Sequence, residues 1–348
     1  MKLAVTALAA AVALALALAV AAQAEPAKVG YPSSMAATGD SITRAFNTCS
    51  FPFVDCPANS WSTGTSASVN SVYSRILARN AAISGKNLND AKSGAKMVDL
   101  NGQVTTAGSQ GVGLVTILMG ANDVCTSSES TMTPVATLQA QLQQALDTLT
   151  KALPNARIGV SSIPNIYNLW SILHTNSTAR TVWSLYGICQ SMLANSNSTA
   201  QADVDRRARV AQRNRDDNDA IAAVCASYVH CRFDAYAAYN LAFTTADVST
   251  RDYFHPSVAG QAKAAATAWT ASFDYTDQVA PVSTALVSGG MMSVTATDNV
   301  GVSGIEYRAP GGAWARYTGP VALGTGQSLD VRAVDVNGNI EASQTITG

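Results

Sequence analysis

Three histidines occur in the 348 residues, His174, His230 and His255, and one of them stands in a setting suited to chemistry. His255 closes Asp252-Tyr253-Phe254-His255. A carboxylate three residues ahead of an imidazole can bond back to it across a tight turn, fixing its tautomer and orientation. An imidazole held in that way is a general base. It serves a weak nucleophile such as a serine hydroxyl, which must lose its proton to attack. Far upstream, Thr38-Gly39-Asp40-Ser41-Ile42 offers such a hydroxyl beside a glycine that lets the backbone turn sharply. Asp40 and Ser41 would serve equally well as a helix cap. Two further pieces bear on the choice. In Gly120-Ala121-Asn122-Asp123 the Asn122 amide can donate to the oxyanion of a tetrahedral intermediate, and the Gly94 N–H in Lys92-Ser93-Gly94-Ala95 can be a second donor. Alone, each glycine would mark a turn. His174 and His230 have no acidic neighbour of this kind, and His230, beside Cys231 on an expected strand, reads as structural.

These pieces need elements that place them together. Residues 34–38 read as a first strand ending at Gly39, and 87–91 as a short strand running into Gly94. The continuous apolar run 113–119 has the length of a strand covered on both faces, and it ends at Gly120. Residues 157–163 and 228–233 give two more strands. Helical spacing appears at 69–80 (Val72, Tyr73, Ile76, Leu77), after Pro134 (Leu138, Leu142, Leu146, Leu149) and through Ala-rich 259–269. Strands alternating with helices imply a parallel sheet with helices on both faces. Ligands bind at the carboxyl ends of such strands, where all these motifs fall. The charged stretch 199–226 mixes Arg206, Arg207, Arg209, Arg213 and Arg215 with Asp216, Asp217 and Asp219, and reads as a helix face in water.

From 277 the character changes. Asp277-Gln278-Val279-Ala280-Pro281 is a linker, and beyond it 293–297, 304–308 and 329–333 alternate like strands. The chain is therefore expected to divide into a leader (1–24), an α/β domain (25–276) and a small all-β sandwich (277–348). Residues 335–339 read as a hairpin turn rather than a calcium loop, because Gly338 sits too early and no acid closes the run. In the leader, Lys2 precedes an apolar run that ends in Ala22-Gln23-Ala24, small residues at the −3 and −1 positions of a signal-peptidase site. The run is long enough to span a bilayer, but its alanine content and its exit favour cleavage, and a secreted protein is expected. Six cysteines follow: Cys49, Cys56, Cys125, Cys189, Cys225 and Cys231. An even number in an exported chain implies disulfides. Short spacing favours Cys49–Cys56 and Cys225–Cys231, leaving Cys125–Cys189 as the long staple. No C-x-x-C pair suggests zinc or redox work. Net charge −1, with 47% hydrophobic and 13% charged residues, supports a real core and excludes a phosphate-binding nucleic-acid partner.

On these motifs the chain resembles the SGNH/GDSL hydrolases. Gly39-Asp40-Ser41 matches the first block, Gly94 the second, Gly120-Ala121-Asn122-Asp123 the third and Asp252-Tyr253-Phe254-His255 the last, over residues 30–275. Ile42 replaces the leucine of the family name. The surroundings look most like the secreted lipase and phospholipase B branch. The tail resembles immunoglobulin-like modules appended to secreted bacterial hydrolases. The resemblance implies a flavodoxin-like three-layer α/β/α fold and a serine esterase in which Ser41 attacks, His255 is the base and Asp252 orients it. Its oxyanion hole would be the Ser41 and Gly94 N–H groups with the Asn122 side chain, and it would need no metal or other cofactor. G-x-S-x-G and H-E-x-x-H are both absent, excluding the α/β-hydrolase elbow and the zincins. Tyr167, Trp170, Trp183 and Tyr186 could wall an acyl site, the other reading being the core of an extra helical pair, since apolar clusters are mostly core. The expected substrate is a lipid ester, with acetylated polysaccharide or polyester as alternatives. The expected state is a monomer whose β-sandwich meets a cell surface or polymer. The non-enzymatic alternative is a surface-binding protein with an inert core.

Overall fold

Successive side chains of a strand leave opposite faces, so a strand buried on both sides needs apolar residues at every position. A computed structural model describes residues 24–348, and residues 1–23 of the expected leader lie outside the described residues. Strands β1 (Met35–Gly39), β2 (Asn87–Asn89), β3 (Leu114–Leu118), β4 (Arg157–Val160) and β5 (Cys231–Phe233) form one parallel sheet in the order β2-β1-β3-β4-β5. This is the flavodoxin-like, doubly wound order. The helices are α1 (Val72–Leu77), α2 (Met97–Gln110), α3 (Ala121–Val124), α4 (Val135–Ala152), α5 (Ile166–Leu173), α6 (Ser177–Leu185), α7 (Gln190–Leu193), α8 (Gln201–Cys225), α9 (Ala237–Asn240) and α10 (Val258–Ala271). Met35, Leu114 and Leu118 pack with Val72, Ile76 and Ala265 of α1 and α10. Their neighbours Ala36, Val115 and Ile117 face the other way, against Leu100, Val104 and Ile221 and the leucine stripe of α4. Leu138, Leu142, Leu146 and Leu149 are all fully buried, each stabilising the layer by about 2 kcal/mol.

Several expected elements are shorter than their patterns: β2 and β4 stop at Asn89 and Val160, β3 loses a residue at each end, and α1 and β5 shrink most. The helix of 69–80 shrinks to α1, because Asn70 takes a left-handed φ of 48° and the Ser71 side chain caps the Ser74 N–H at 3.1 Å. The strand of 228–233 shrinks to β5, because Cys225 and Cys231 are joined and the chain must reverse between them. The other disulfides are Cys49–Cys56 and Cys125–Cys189. The charged face of α8 is only partly in water. Arg206 donates to the carbonyls of Gln190, Ser191 and Ala194, Arg207 is buried under Trp170, and Asp217 is fully buried.

Beyond the linker come β6 (Val282–Ser288), β7 (Met291–Thr297), β8 (Val302–Arg308), β9 (Ala315–Arg316), β10 (Val321–Ala322), β11 (Ser328–Asp335) and β12 (Gln344–Thr347). They form two antiparallel sheets, β10-β7-β6 and β12-β11-β8-β9, around Met292, Val294, Leu323 and Val331. Residues 335–339 form the expected turn, with Asp335 accepting the Asn337 and Asn339 N–H groups at 2.8 Å. The amino end of the α/β part touches this unit, as do Arg157 and His230. Lys28 bridges to Ile340, and Glu25 pairs with Arg308 at 2.9 Å. The buried Arg157 guanidinium donates to Asn337 O, Gly30 O and Asn339 Oδ1, and His230 Nε2 lies 3.2 Å from Glu306.

Candidate active site

The hydroxyl motif begins where β1 ends. Gly39 has φ +145°, and a Cβ there would lie 2.4 Å from the Leu118 carbonyl oxygen, so only glycine lets the chain turn so close to β3. The Gln103 amide clamps this glycine, accepting its N–H at 2.7 Å and donating to its carbonyl at 2.9 Å. Asp40 then accepts the Ile42 N–H at 2.8 Å, and the turn presents Ser41. Burial pushes the Asp40 carboxyl up to about 6, against the pull of the Ile42 N–H and of His255.

The histidine motif reaches the same point from the far end of the chain. His255 Nε2 lies 2.7 Å from Ser41 Oγ, and Nδ1 lies 2.7 Å from Asp252 Oδ2. The other carboxylate oxygen of Asp252 accepts the N–H groups of Phe254 and His255 at 3.0 and 3.1 Å. Burial would raise the Asp252 carboxyl, but the imidazole and the two backbone donors outweigh it, and the group sits below its ordinary range. The turn between the two is strained: Tyr253 has φ 55°, and its carbonyl is held by the Trp183 indole N–H at 2.9 Å. Phe46 and Phe254 flank the imidazole, with ring centroids 4.9 and 5.0 Å away.

Ser41, Gly94, Asn122 and His255 line one cleft, walled by Phe46, Ile188 and the Cys125–Cys189 disulfide. Asn122 sits in the first turn of α3. Its Nδ2 donates to Ala95 O at 2.9 Å, which uses one of its two amide hydrogens and fixes the side chain beside the Gly94 loop. Gly120, just before it, has φ +117°, and a Cβ there would strike Ile163 Cδ1 at 2.5 Å. The buried Asp123 secures the helix by accepting the Met97 N–H at 2.9 Å and the Thr133 hydroxyl at 2.6 Å. A second, apolar pocket shares Phe254 and His255 with the cleft. Its other walls include Leu118, Ala121, Ile166, Leu169, Leu241 and Phe243.

The structure thus brings together Ser41, Asp252, His255, Gly94 and Asn122. The four aromatic residues that could wall an acyl site are placed elsewhere. Trp183 is fully buried and braces Tyr253, and Trp170 donates to Ser196 O at 2.7 Å and stacks on His174. Tyr167 packs on Trp170, and Tyr186 is exposed, in contact with Phe53. None of the four lines the cleft or the pocket. The neighbours Ile166 and Leu169 supply the wall instead. Asn47 escaped the sequence reading. It is buried, its Nδ2 donates to Asp252 Oδ2, and its Oδ1 accepts the Phe53 N–H at 2.5 Å. No spacing rule relates position 47 to position 252.

A comparison with curated proteins gave no match. Among solved structures, the chain is similar to a GDSL-like lipase from Parabacteroides merdae (16% identity, TM-score 0.40, covering 71% of this chain and 98% of that one). It is also similar to an extracellular lipase from Streptomyces rimosus (21%, 0.40, 66% and 95%) and a phospholipase A1 from Streptomyces albidoflavus (17%, 0.35, 67% and 95%). The model of the GDSL-like lipase/acylhydrolase family matches residues 35–268, a span that runs from the first residue of β1 past His255. With that match over two-thirds of its length, the chain belongs to the GDSL-like lipase/acylhydrolase family and is an ester hydrolase.

Proposed function

We propose that this protein is a secreted serine carboxylic-ester hydrolase that cleaves lipid esters through an acyl-enzyme. The observation that carries the reading is the Ser41–His255–Asp252 relay, with both bonds at 2.7 Å, beside an apolar pocket. His255 Nε2 takes the Ser41 proton as Oγ bonds to the ester carbonyl carbon. Asp252 holds the ring and balances the imidazolium that forms. The oxyanion is met by the Ser41 and Gly94 N–H groups and the free amide hydrogen of Asn122. His255 then returns the proton to the departing alcohol. Water repeats the sequence on the acyl-enzyme, releasing the acid and freeing Ser41. The acyl chain occupies the pocket behind His255, whose walls offer it few polar partners.

Export is supported by the leader pattern and by three disulfides that use every cysteine. Among the described residues no helix is long and apolar enough to cross a membrane. We assign catalysis to residues 25–276. Residues 277–348 form an immunoglobulin-like appendage that supplies no side chain to the cleft. The test compares Ser41→Ala with the parent on p-nitrophenyl acetate, p-nitrophenyl palmitate, phosphatidylcholine and acetylated xylan. The variant should lose about a thousandfold or more in kcat on every ester the parent cleaves, and the parent should favour the long acyl chains. Equal rates for variant and parent would end the serine mechanism. A preference for acetylated xylan would transfer the pocket to another role.

A further inference from the structure

We infer that the rim of the cleft is a docking surface for aggregated lipid, formed by the loop closed by Cys49–Cys56 and the end of α6. Phe51 is 77% exposed and Phe53 51%, while across the rim Leu185 is 72% and Tyr186 58% exposed. The two sides meet, with the Phe53 and Tyr186 rings 5.9 Å apart. Neither 50–54 nor 184–188 contains a charged residue. Soluble chains rarely hold several large apolar side chains together in water without a partner for them.

The loop cannot fold these side chains inward. The disulfide closes its base, and the Arg251 guanidinium donates to the carbonyls of Phe51 and Ser50 at 2.6 and 2.9 Å. Asn47 ties the Phe53 N–H to the site. Both segments also continue the cleft walls, one from Phe46 and the other into Ile188 and Cys189. A surface that covers Phe51 and Leu185 therefore lies over the mouth leading to Ser41. The partner that fits is an assembly of long-chain esters, which presents hydrocarbon to the rim and its own ester groups to the cleft. The large exposed side chains of the rim are apolar, and its nearest charges are already engaged, Asp55 by Arg44 and Arg251 by the loop carbonyls, so the rim matches hydrocarbon better than a charged polymer.

The inference rests on the lipid-ester reading above, and the experiment separates the two. The full chain carrying Ser41→Ala, which leaves vesicles intact, is mixed with neutral phosphatidylcholine vesicles and its partition is measured by flotation. Phe51→Ser and Leu185→Ser should each weaken partition by about tenfold, the scale of one apolar side chain returned to water. In the otherwise native chain they should raise KM for vesicle lipid. Turnover of soluble p-nitrophenyl butyrate should stay within about twofold, as expected for surface positions. The inference is overturned if the Ser41→Ala chain does not bind, if the substitutions leave partition unchanged, or if they dissociate a dimer in sedimentation. If vesicles bind but no long-chain ester is cleaved, the substrate assignment fails while the docking surface stands.

Discussion

Replacing Asn47 by glycine removes the amide that shares Asp252 Oδ2 with the imidazole, leaving the rest of the relay in place. Glycine is the right probe because Asn47 has φ 66°, a backbone conformation that alanine or leucine would strain. Asp252 keeps its two backbone donors through Oδ1, but Oδ2 is then positioned by His255 alone. A hydrogen bond to a charged group is worth about 1.5–3 kcal/mol. A loss of that size, expressed in the transition state, lowers kcat by about ten- to a hundredfold. Asn47 lines neither the cleft nor the pocket, so KM should be little changed. Asn47→Asp supplies the comparison. It sets a second carboxylate against Asp252, and two such groups cannot both stay ionised at short range without cost. Its deficit should exceed that of the glycine variant at pH 8 and narrow as the solution is acidified. The assay is steady-state turnover of p-nitrophenyl butyrate from pH 6 to 9, with thermal unfolding as a check on the fold. A glycine variant that keeps its full kcat across that range would refute the positioning role.

Two further outcomes are expected. Leu169→Trp should fill part of the pocket and cut kcat/KM for palmitoyl esters by about ten- to a hundredfold while sparing acetyl esters, and uniform losses over chain length would place the acyl group elsewhere. Burial raises the Asp217 carboxyl to about 7, with Arg213 opposing and Asp123 adding to the rise, and neither of its oxygens has a partner. The folded state therefore holds a proton that the unfolded chain releases near pH 4. The stabilisation is full below that point, declines as pH rises toward 7 and is absent above it. Asp217→Asn cannot ionise, so its melting temperature should gain on the parent between pH 5 and pH 8, by an amount reflecting on the order of 2–4 kcal/mol. A difference independent of pH would contradict the buried acid.

Much of the fold is legible in residue patterns because a two-sided parallel sheet demands apolar residues at consecutive positions. The run through Leu114, Val115, Ile117 and Leu118 and the leucines of α4 leave little choice of neighbour. The site glycines were legible for a related reason, since Gly39 and Gly120 stand where a Cβ would meet β3 and Ile163. Whether the tryptophans wall a pocket or fill a core is not legible, because composition records an aromatic ring but not which carbonyl takes its N–H. Ser196 and Tyr253 take those of Trp170 and Trp183, and neither indole lines the pocket. Asn47 was invisible because its bond to Asp252 exists only after the chain's two ends have met.

That meeting follows from the parallel sheet. Parallel pairing brings the carboxyl ends of β1 and β3 to one edge, so Ser41 and Asn122, each just beyond a strand, become neighbours although far apart in sequence. Gly94 arrives there because the chain leaving β2 stays paired with the end of β1, through the Asp90 N–H to Ala37 O and the Lys92 N–H to Gly39 O. His255 has no strand to carry it and comes by another route. The Asp252–His255 turn is held by Trp183 and by Asn47, and α10, which follows it, packs under β1 through Ala265. Gln261 of the same helix spans the gap, donating to Ile42 O at 2.8 Å and accepting the Trp61 N–H at 2.9 Å. The general base is therefore placed by helix packing and the nucleophile by strand pairing. Gln261 joins the two systems one residue beyond Ser41, so the helix that follows the base is hydrogen-bonded directly to the turn that presents the nucleophile.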